Sequence, residues 1–337
     1  MLNEGNLFAN AMPKVEDLQA SVQDKTGFTE LEHYRRLGVA YLTFLAGAKL
    51  TRIISPTPPH NYIFYQYGRA QANKITRPLN GNLFIESPLV FAEAFDRFVA
   101  FLADLKKLQE KAEGRRSVKA YLASNEINKV IYTAQQSIGC IGDSFKDSNQ
   151  ARKRIGQLFE RLIKLIILEV GLECEPRTIS VPVPSYPGYA MPYELDVVFS
   201  RNKAVLVSET KTIHPMEIVG SVKTTSKDRI DKIFLDKYLL AKLLGRDIPV
   251  VAVFLHDVQR AKKGNSIFGI ASTFKTNHFL CYSLVLSKLD GVYYVDPRPE
   301  MVSTERLREQ ISDFQHFLTT DLWTLSAPVP TKTHSKI

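Results

Sequence analysis

Asp196 and the run Glu209-Thr210-Lys211 are the residues of this chain whose types and spacing could do chemistry together. In Val205-Leu206-Val207-Ser208-Glu209-Thr210-Lys211, three apolar residues lead into an acid and an amine two positions apart. Alternate residues of a strand share a face, so Glu209 and Lys211 point one way and Thr210 the other. If Arg201 to Ala204 forms a turn, the resulting hairpin sets Asp196 opposite Glu209, with Cβ atoms about 5 Å apart. This register is an assumption, since a slip of one residue turns one side chain to the other face. Two carboxylates that close repel each other unless a cation lies between them. Hard oxygen donors on a short arc suit Mg²⁺, which keeps its waters and takes a phosphate oxygen. A lysine beside such an ion can orient or deprotonate an attacking water, or balance the charge that develops on phosphorus. Acid, acid and lysine around one phosphate make a site for phosphodiester hydrolysis.

The elements that must position these residues follow from periodicity and punctuation. Leu31 to Ile54 has helical spacing (Leu37, Tyr41, Phe44, Leu45) and runs up against Pro56, Pro58 and Pro59. A second helix starts near Pro88 and carries the aromatic stripe Phe91, Phe95, Phe98 and Phe101 with Leu102 and Leu105, which reads as core. Glu113 to Arg116 breaks it, and a third helix covers roughly Val118 to Ser137. Arg152 to Val170 is strongly amphipathic, with Gly171 as its stop. A proline-punctuated stretch then holds an edge strand, Thr178 to Val183. It is followed by strands at Leu195 to Ser200 and Ala204 to Lys211, a helix from Lys227 to Leu244 and the apolar strand Pro249 to Leu255. Strands at Phe279 to Leu286 and Val292 to Val295 and a helix at Thr304 to Leu318 complete the expectation. The fold class is α/β: a central mixed β-sheet flanked by helices, with a mainly helical N-terminal part. The divisions are 1–150 for the helical region, 151–326 for the catalytic domain and 327–337 for a frayed tail.

With Asp196 and Glu209-Thr210-Lys211 in this order of elements, residues 151 to 255 resemble the PD-(D/E)XK nuclease superfamily, and within it the type II restriction endonucleases. The resemblance implies that Asp196 and Glu209 bind Mg²⁺ and that Lys211 is the catalytic lysine. It adds an acid from the first core helix, which here is Glu160. Leu195 stands where the pattern has proline, and Glu194 is a rival for the first acid. The implied activity is hydrolysis of double-stranded DNA at a short specific sequence, leaving 5′-phosphates, by a homodimer. A repair or junction-resolving nuclease and a non-catalytic DNA-binding protein are the alternatives.

After Lys211 comes Gly220-Ser221-Val222-Lys223-Thr224-Thr225-Ser226-Lys227-Asp228-Arg229, leading into a helix. Lys223, Thr224, Thr225, Ser226, Lys227 and Arg229 combine hydroxyls, cations and a helix start, a suitable cradle for DNA phosphates. Thr225 and Asp228 have capping-box-like spacing. Arg35, Arg36, Arg115 and Arg116 are further candidate phosphate contacts.

Among the chain's 337 residues, 44 Lys and Arg against 35 Asp and Glu give a net charge of +9, a balance that favours a polyanionic partner. Cys140, Cys174 and Cys281 form no CxxC pair, which argues against disulfides and structural zinc and fits a reducing cytoplasm with small buried thiols. His214, His256 and His278 form no metal motif, and no glycine-rich phosphate loop supports a nucleotide cofactor. A signal peptide and a membrane span are not expected.

Overall fold

The computed structural model describes residues 12–108, 121–202, 212–227 and 229–327. Its centre is a six-stranded sheet. In chain order the strands are β4 (Glu173–Pro182), β5 (Ala190–Ser200), β6 (Ile218–Thr225), β7 (Val250–His256), β10 (Gly291–Tyr294) and β11 (Ile311–Asp313). Their spatial order is β11-β10-β7-β6-β5-β4, with β4, β5 and β6 antiparallel and β6, β7, β10 and β11 parallel. It is the mixed sheet that the sequence predicts.

Both faces of the sheet are covered, and β7 shows it residue by residue. Val251, Val253 and Leu255 join one core cluster, while Val250, Ala252 and Phe254 join another. A strand buried on both sides needs no polar alternation, which is why Pro249 to Leu255 reads as one apolar run. The first cluster is roofed by α2 (Leu31–Gly47), α3 (Pro88–Leu108), α4 (Glu126–Asp143) and α5 (Ser148–Glu169), which follow a short N-terminal helix α1 (Val15–Gln23). The second is roofed by α6 (Ile230–Leu244) and α7 (Thr276–Val285). The aromatic stripe of α3 is core as expected: Phe91, Phe95, Phe98, Phe101, Leu102 and Leu105 are all buried. Successive rings meet edge to face, Phe91 to Phe95 at 5.7 Å and Phe95 to Phe98 at 6.0 Å.

Helix α5 carries one candidate site residue, so its placement matters. Ile155, Leu158, Phe159, Leu162 and Ile166 form its buried face. Asp147 starts it by accepting the N–H groups of Asn149 (2.8 Å) and Gln150 (3.1 Å), five residues before Arg152. Gly171, at φ +93°, turns the chain out of it, as Gly245 at φ +68° does after α6.

Several elements depart from expectation. Helix α2 stops at Gly47, and Thr51–Ile54 is instead strand β1, pairing with β2 (Tyr62–Gln66), which in turn pairs with β3 (Leu79–Asn80). The helical N-terminal region therefore contains a small sheet. The edge strand and the first hairpin strand are longer than read, at Glu173–Pro182 and Ala190–Ser200. The apolar run Phe279 to Leu286 lies in helix α7 up to Val285, with Leu286 capping it, and the buried Phe279 packs on Phe234 of α6 at 5.5 Å. Thr304 to Leu318 is broken in two by β11, which adds parallel to β10. Cys281 is exposed, unlike Cys140 and Cys174.

The largest correction concerns the neighbour of β5. One edge of β5 pairs with β4 and the other with β6, through Val197↔Gly220, Val198↔Val219 and Phe199↔Ile218. Where the hairpin partner of β5 was expected, the described ladder runs instead to a strand that begins at Ile218, 14 residues after Ala204. Residues 203–211, with Glu209 and Lys211 among them, lie outside the described residues. Gly220 closes the β5–β6 ladder, and a Cβ there would stand 2.6 Å from Val197 Cγ2. Gly220→Ala is therefore expected to cost about 1–3 kcal/mol by overpacking. Urea unfolding measures it, and an unchanged midpoint would contradict the tight approach of the two strands.

Candidate functional site

Beyond Val197↔Gly220 the β5–β6 ladder ends, although β5 reaches back to Ala190 and β6 runs on to Thr225. In that parting stands Asp196. Its Oδ2 accepts the backbone N–H of Val222 at 2.8 Å, taking the bond that a ladder carbonyl would otherwise take. Ser221 Oγ donates to the same oxygen at 3.3 Å. Lys223, two residues along β6, places Nζ 2.5 Å from Asp196 Oδ2 and 3.2 Å from Glu160 Oε1 of α5. Three elements thus deliver two acids and one amine to one spot.

The environment of this cluster is half-buried. Side-chain exposures are 15% for Asp196, 28% for Lys223 and 29% for Glu160. Burial raises the Glu160 carboxyl above the ordinary glutamate range, and the Asp196 carboxylate raises it further, while Lys223 acts the other way. A half-buried glutamate with a raised carboxyl, beside a second acid and an amine, marks a candidate functional site. Among the described residues no group of three or more His, Cys, Asp or Glu could hold a metal ion. The pair Glu160 and Asp196 is nevertheless a donor set of the kind Mg²⁺ accepts, one or two carboxylates with the rest of the shell left to water and phosphate.

Of the residues singled out from sequence, Asp196 and Glu160 come together here, and Glu209 and Lys211 lie outside the described residues. Glu194, the rival acid, is exposed and paired across to Thr178 of β4. The stretch read as a phosphate cradle is largely strand: Gly220 to Thr225 belong to β6. Lys223 is turned onto the acids rather than left free, and Ser226 is buried. Thr224 is half-buried, Thr225 pairs with His256, and Lys227 and Arg229 are exposed just ahead of α6. Asp228, the other half of the capping box, lies outside the described residues. Arg35 is held by Asp96 and Glu32, Arg36 lies 4.0 Å from Glu32, and Arg115 and Arg116 fall outside the described residues.

Sequence reasoning passed over Lys223 as the amine of this cluster, and gave Ser221 no role of its own. Ile218-Val219-Gly220-Ser221-Val222-Lys223 has the layout of the Val205–Lys211 run, an apolar start with a lysine at its end, but a serine stands where the acid was sought. A search for an apolar strand ending in lysine, without demanding the acid, finds both.

A second acidic pair lies beyond the ends of β7 and β10. Asp296 Oδ1 accepts Asn80 Nδ2 at 2.8 Å, and burial pushes its carboxyl up to about 7. Asp257 is also raised by burial. Because the folded value of Asp296 lies above the unfolded one, its contribution to stability is full below about pH 4 and is lost as pH rises towards 7. Asp296→Asn is expected to melt higher than wild type at pH 8, with the gap narrowing at pH 5. Parallel melting curves that keep the same spacing at both pH values would contradict this.

No protein-family model matches the chain, and no curated protein matches it. Comparison with solved structures finds the crystal structure of the Type IIP restriction endonuclease Kpn2I, with a TM-score of 0.64 and 16% sequence identity over 93% of this chain and 97% of that one. Among the described residues no helix is long and apolar enough to cross a membrane. The mixed sheet, its two helical layers and the parted strands around Asp196 are therefore set in an α/β fold similar, over nearly its whole length, to that of a restriction endonuclease.

Proposed function

We propose that the protein is a cytoplasmic type II restriction endonuclease, which hydrolyses phosphodiester bonds in double-stranded DNA at a short specific sequence, leaves 5′-phosphates and requires Mg²⁺. The observation that carries this reading is the meeting of Glu160, Asp196 and Lys223 where β5 and β6 part. The similarity in fold to Kpn2I supports it.

In this reading Glu160 and Asp196 would hold the Mg²⁺, which when bound would supply Lewis-acid polarisation of the phosphate and acidify its water. Lys223 Nζ, already within bonding distance of both carboxylates, donates to a phosphate oxygen as negative charge builds there. The Val222 N–H and Ser221 Oγ hold the Asp196 carboxylate in one orientation. Glu160, whose carboxyl is raised, can also take a proton at Oε from the attacking water. Lys227 and Arg229, exposed ahead of α6, are the phosphate contacts next to the site. One site per chain cuts one strand, so the proposal includes a homodimer whose two-fold axis matches the duplex.

The test is incubation with phage DNA and Mg²⁺, followed by sequencing of fragment ends. Discrete fragments with 5′-phosphates at a recurring sequence are expected. Intact DNA, or erosion from ends alone, would overturn the proposal.

A further inference from the structure

The hairpin β8 (Val258–Lys263) and β9 (Ser266–Ser272) leaves the sheet directly after β7. Arg260, Lys262 and Lys263 are exposed on it, and among the described residues no carboxylate neutralises them. Four arginines of the N-terminal region are different, since Arg35, Arg52, Arg77 and Arg97 each have an acid partner. Three uncompensated cations on one short ribbon form a strong local field.

The ribbon is also firmly mounted. Thr273 N–H and Oγ1 both donate to the Asp257 carbonyl at 2.7 Å, and Ser272 Oγ donates to Asp257 Oδ2, which clamps the end of the hairpin to its start. Ile270 N–H donates to Thr57 Oγ1 at 3.2 Å, and Phe268 meets Phe64 edge-on at 5.8 Å. Val258 and Ile270 are buried against Tyr62 and Phe64 of β2. The turn at the tip has Gly264 at φ +56°. The cations thus stand on a preorganised arm, and holding it against DNA costs little ordering.

Its root lies at the working end of the sheet. Lys223 pairs with Phe254 in the β6–β7 ladder, and β8 begins four residues beyond Phe254. At 3.3 Å per residue the chain between Phe254 and Val258 spans at most roughly 13 Å. We infer that the β8–β9 hairpin is a DNA-gripping arm, its Arg260, Lys262 and Lys263 set on backbone phosphates of the duplex whose strand the cluster cuts. This rests on the nuclease reading. A two-stranded ribbon has the width to follow a groove, and phosphate contacts position the duplex without reading its sequence.

The experiment measures binding apart from cleavage. Fluorescence anisotropy is recorded with Ca²⁺ in place of Mg²⁺, on a duplex containing the cleaved sequence and on an unrelated one, between 50 and 200 mM salt. For R260A/K262A/K263A the slope of log affinity against log salt is expected to shrink by about 2.7, so that wild type loses about 40-fold more affinity than the variant across that range. The loss should be equal on both duplexes. R260K/K262R/K263R, which keeps every charge, should restore the wild-type slope and controls for folding. An unchanged slope in the alanine variant overturns the inference, as does a loss confined to the cleaved sequence, which would mean base reading. If wild type binds neither duplex, the nuclease reading falls with the arm. If it binds and cuts while the slope stays put, only the arm falls.

Discussion

Lys223→Ala is expected to slow DNA cleavage about 10²–10³-fold while the protein still binds DNA and still takes up the divalent ion. The reason is where the amine sits. Nζ lies 2.5 Å from Asp196 and 3.2 Å from Glu160, so it is both the internal counter-charge of the acids and the donor nearest to any phosphate they hold through an ion. Removing it takes away transition-state stabilisation but leaves two carboxylates whose mutual repulsion favours a cation between them. Metal affinity should therefore hold or rise while turnover falls. Single-turnover cleavage together with calorimetric titration of Mn²⁺ separates the two quantities. Lys211→Ala is the companion variant, because Lys211 is the lysine that the ExK spacing favours. A Lys223→Ala protein that cuts at the wild-type rate beside an inert Lys211→Ala protein would move the chemistry to Glu209 and Lys211.

Asp196→Asn is expected to have the larger effect, a loss of more than about 10³-fold in cleavage, together with loss of the calorimetric metal signal. The asparagine oxygen can still accept the Val222 N–H that Asp196 accepts at 2.8 Å, so the strands should keep their places. What goes is the charge. Asparagine leaves Lys223 with Glu160 as its remaining acid, an ion pair in place of a cation site. The melting temperature should stay within a few degrees of wild type, which separates a chemical from a structural loss. Full Mg²⁺-dependent activity in Asp196→Asn would remove the foundation of the proposed function.

Much of the fold was legible because burial and periodicity agreed. The stripe of α3, the inner face of α5, the two-sided burial of β7 and the stops at Gly171 and Gly245 are strong local signals, and the structure uses all of them. Where local signals were degenerate, reading went astray. Phe279–Leu286 is apolar but for Ser283, and the helix that holds most of it buries Phe279 alone, so an apolar run this short does not separate a helix from a strand. Leu307, Ile311, Phe314 and Leu318 have helical spacing and are all buried, yet β11 interrupts them because the edge of β10 accepts another strand. Tertiary pairing overrode the pattern there.

The site divides along the same line. Asp196 and Glu160 were reachable from sequence, one from a strand start and one from the helix face that the resemblance points to. Lys223 was noticed as a cation but not as the partner of those acids. That partnership depends on which strand lies beside β5, a long-range fact that a serine at position 221 conceals. The hairpin register assumed for Asp196 was the simplest local solution, whereas the described edge of β5 is taken by β6.

The short ladder between β5 and β6 bears on how a newly made chain becomes competent. Three pairs join β6 to β5, whereas six join it to β7, a strand that is synthesised only after α6. Until that crossover closes, β6 has little to fix it, since a parallel pair cannot form without its connecting helix. Glu160 and Asp196 ride on elements that precede β6, so they can find each other early, whereas the amine arrives late. A ribosome-bound chain that has not yet released Val250–His256 therefore carries the two acids before β6 is fixed beside them, and the cluster of Glu160, Asp196 and Lys223 is completed when β7 joins the sheet, ahead of β10 and β11.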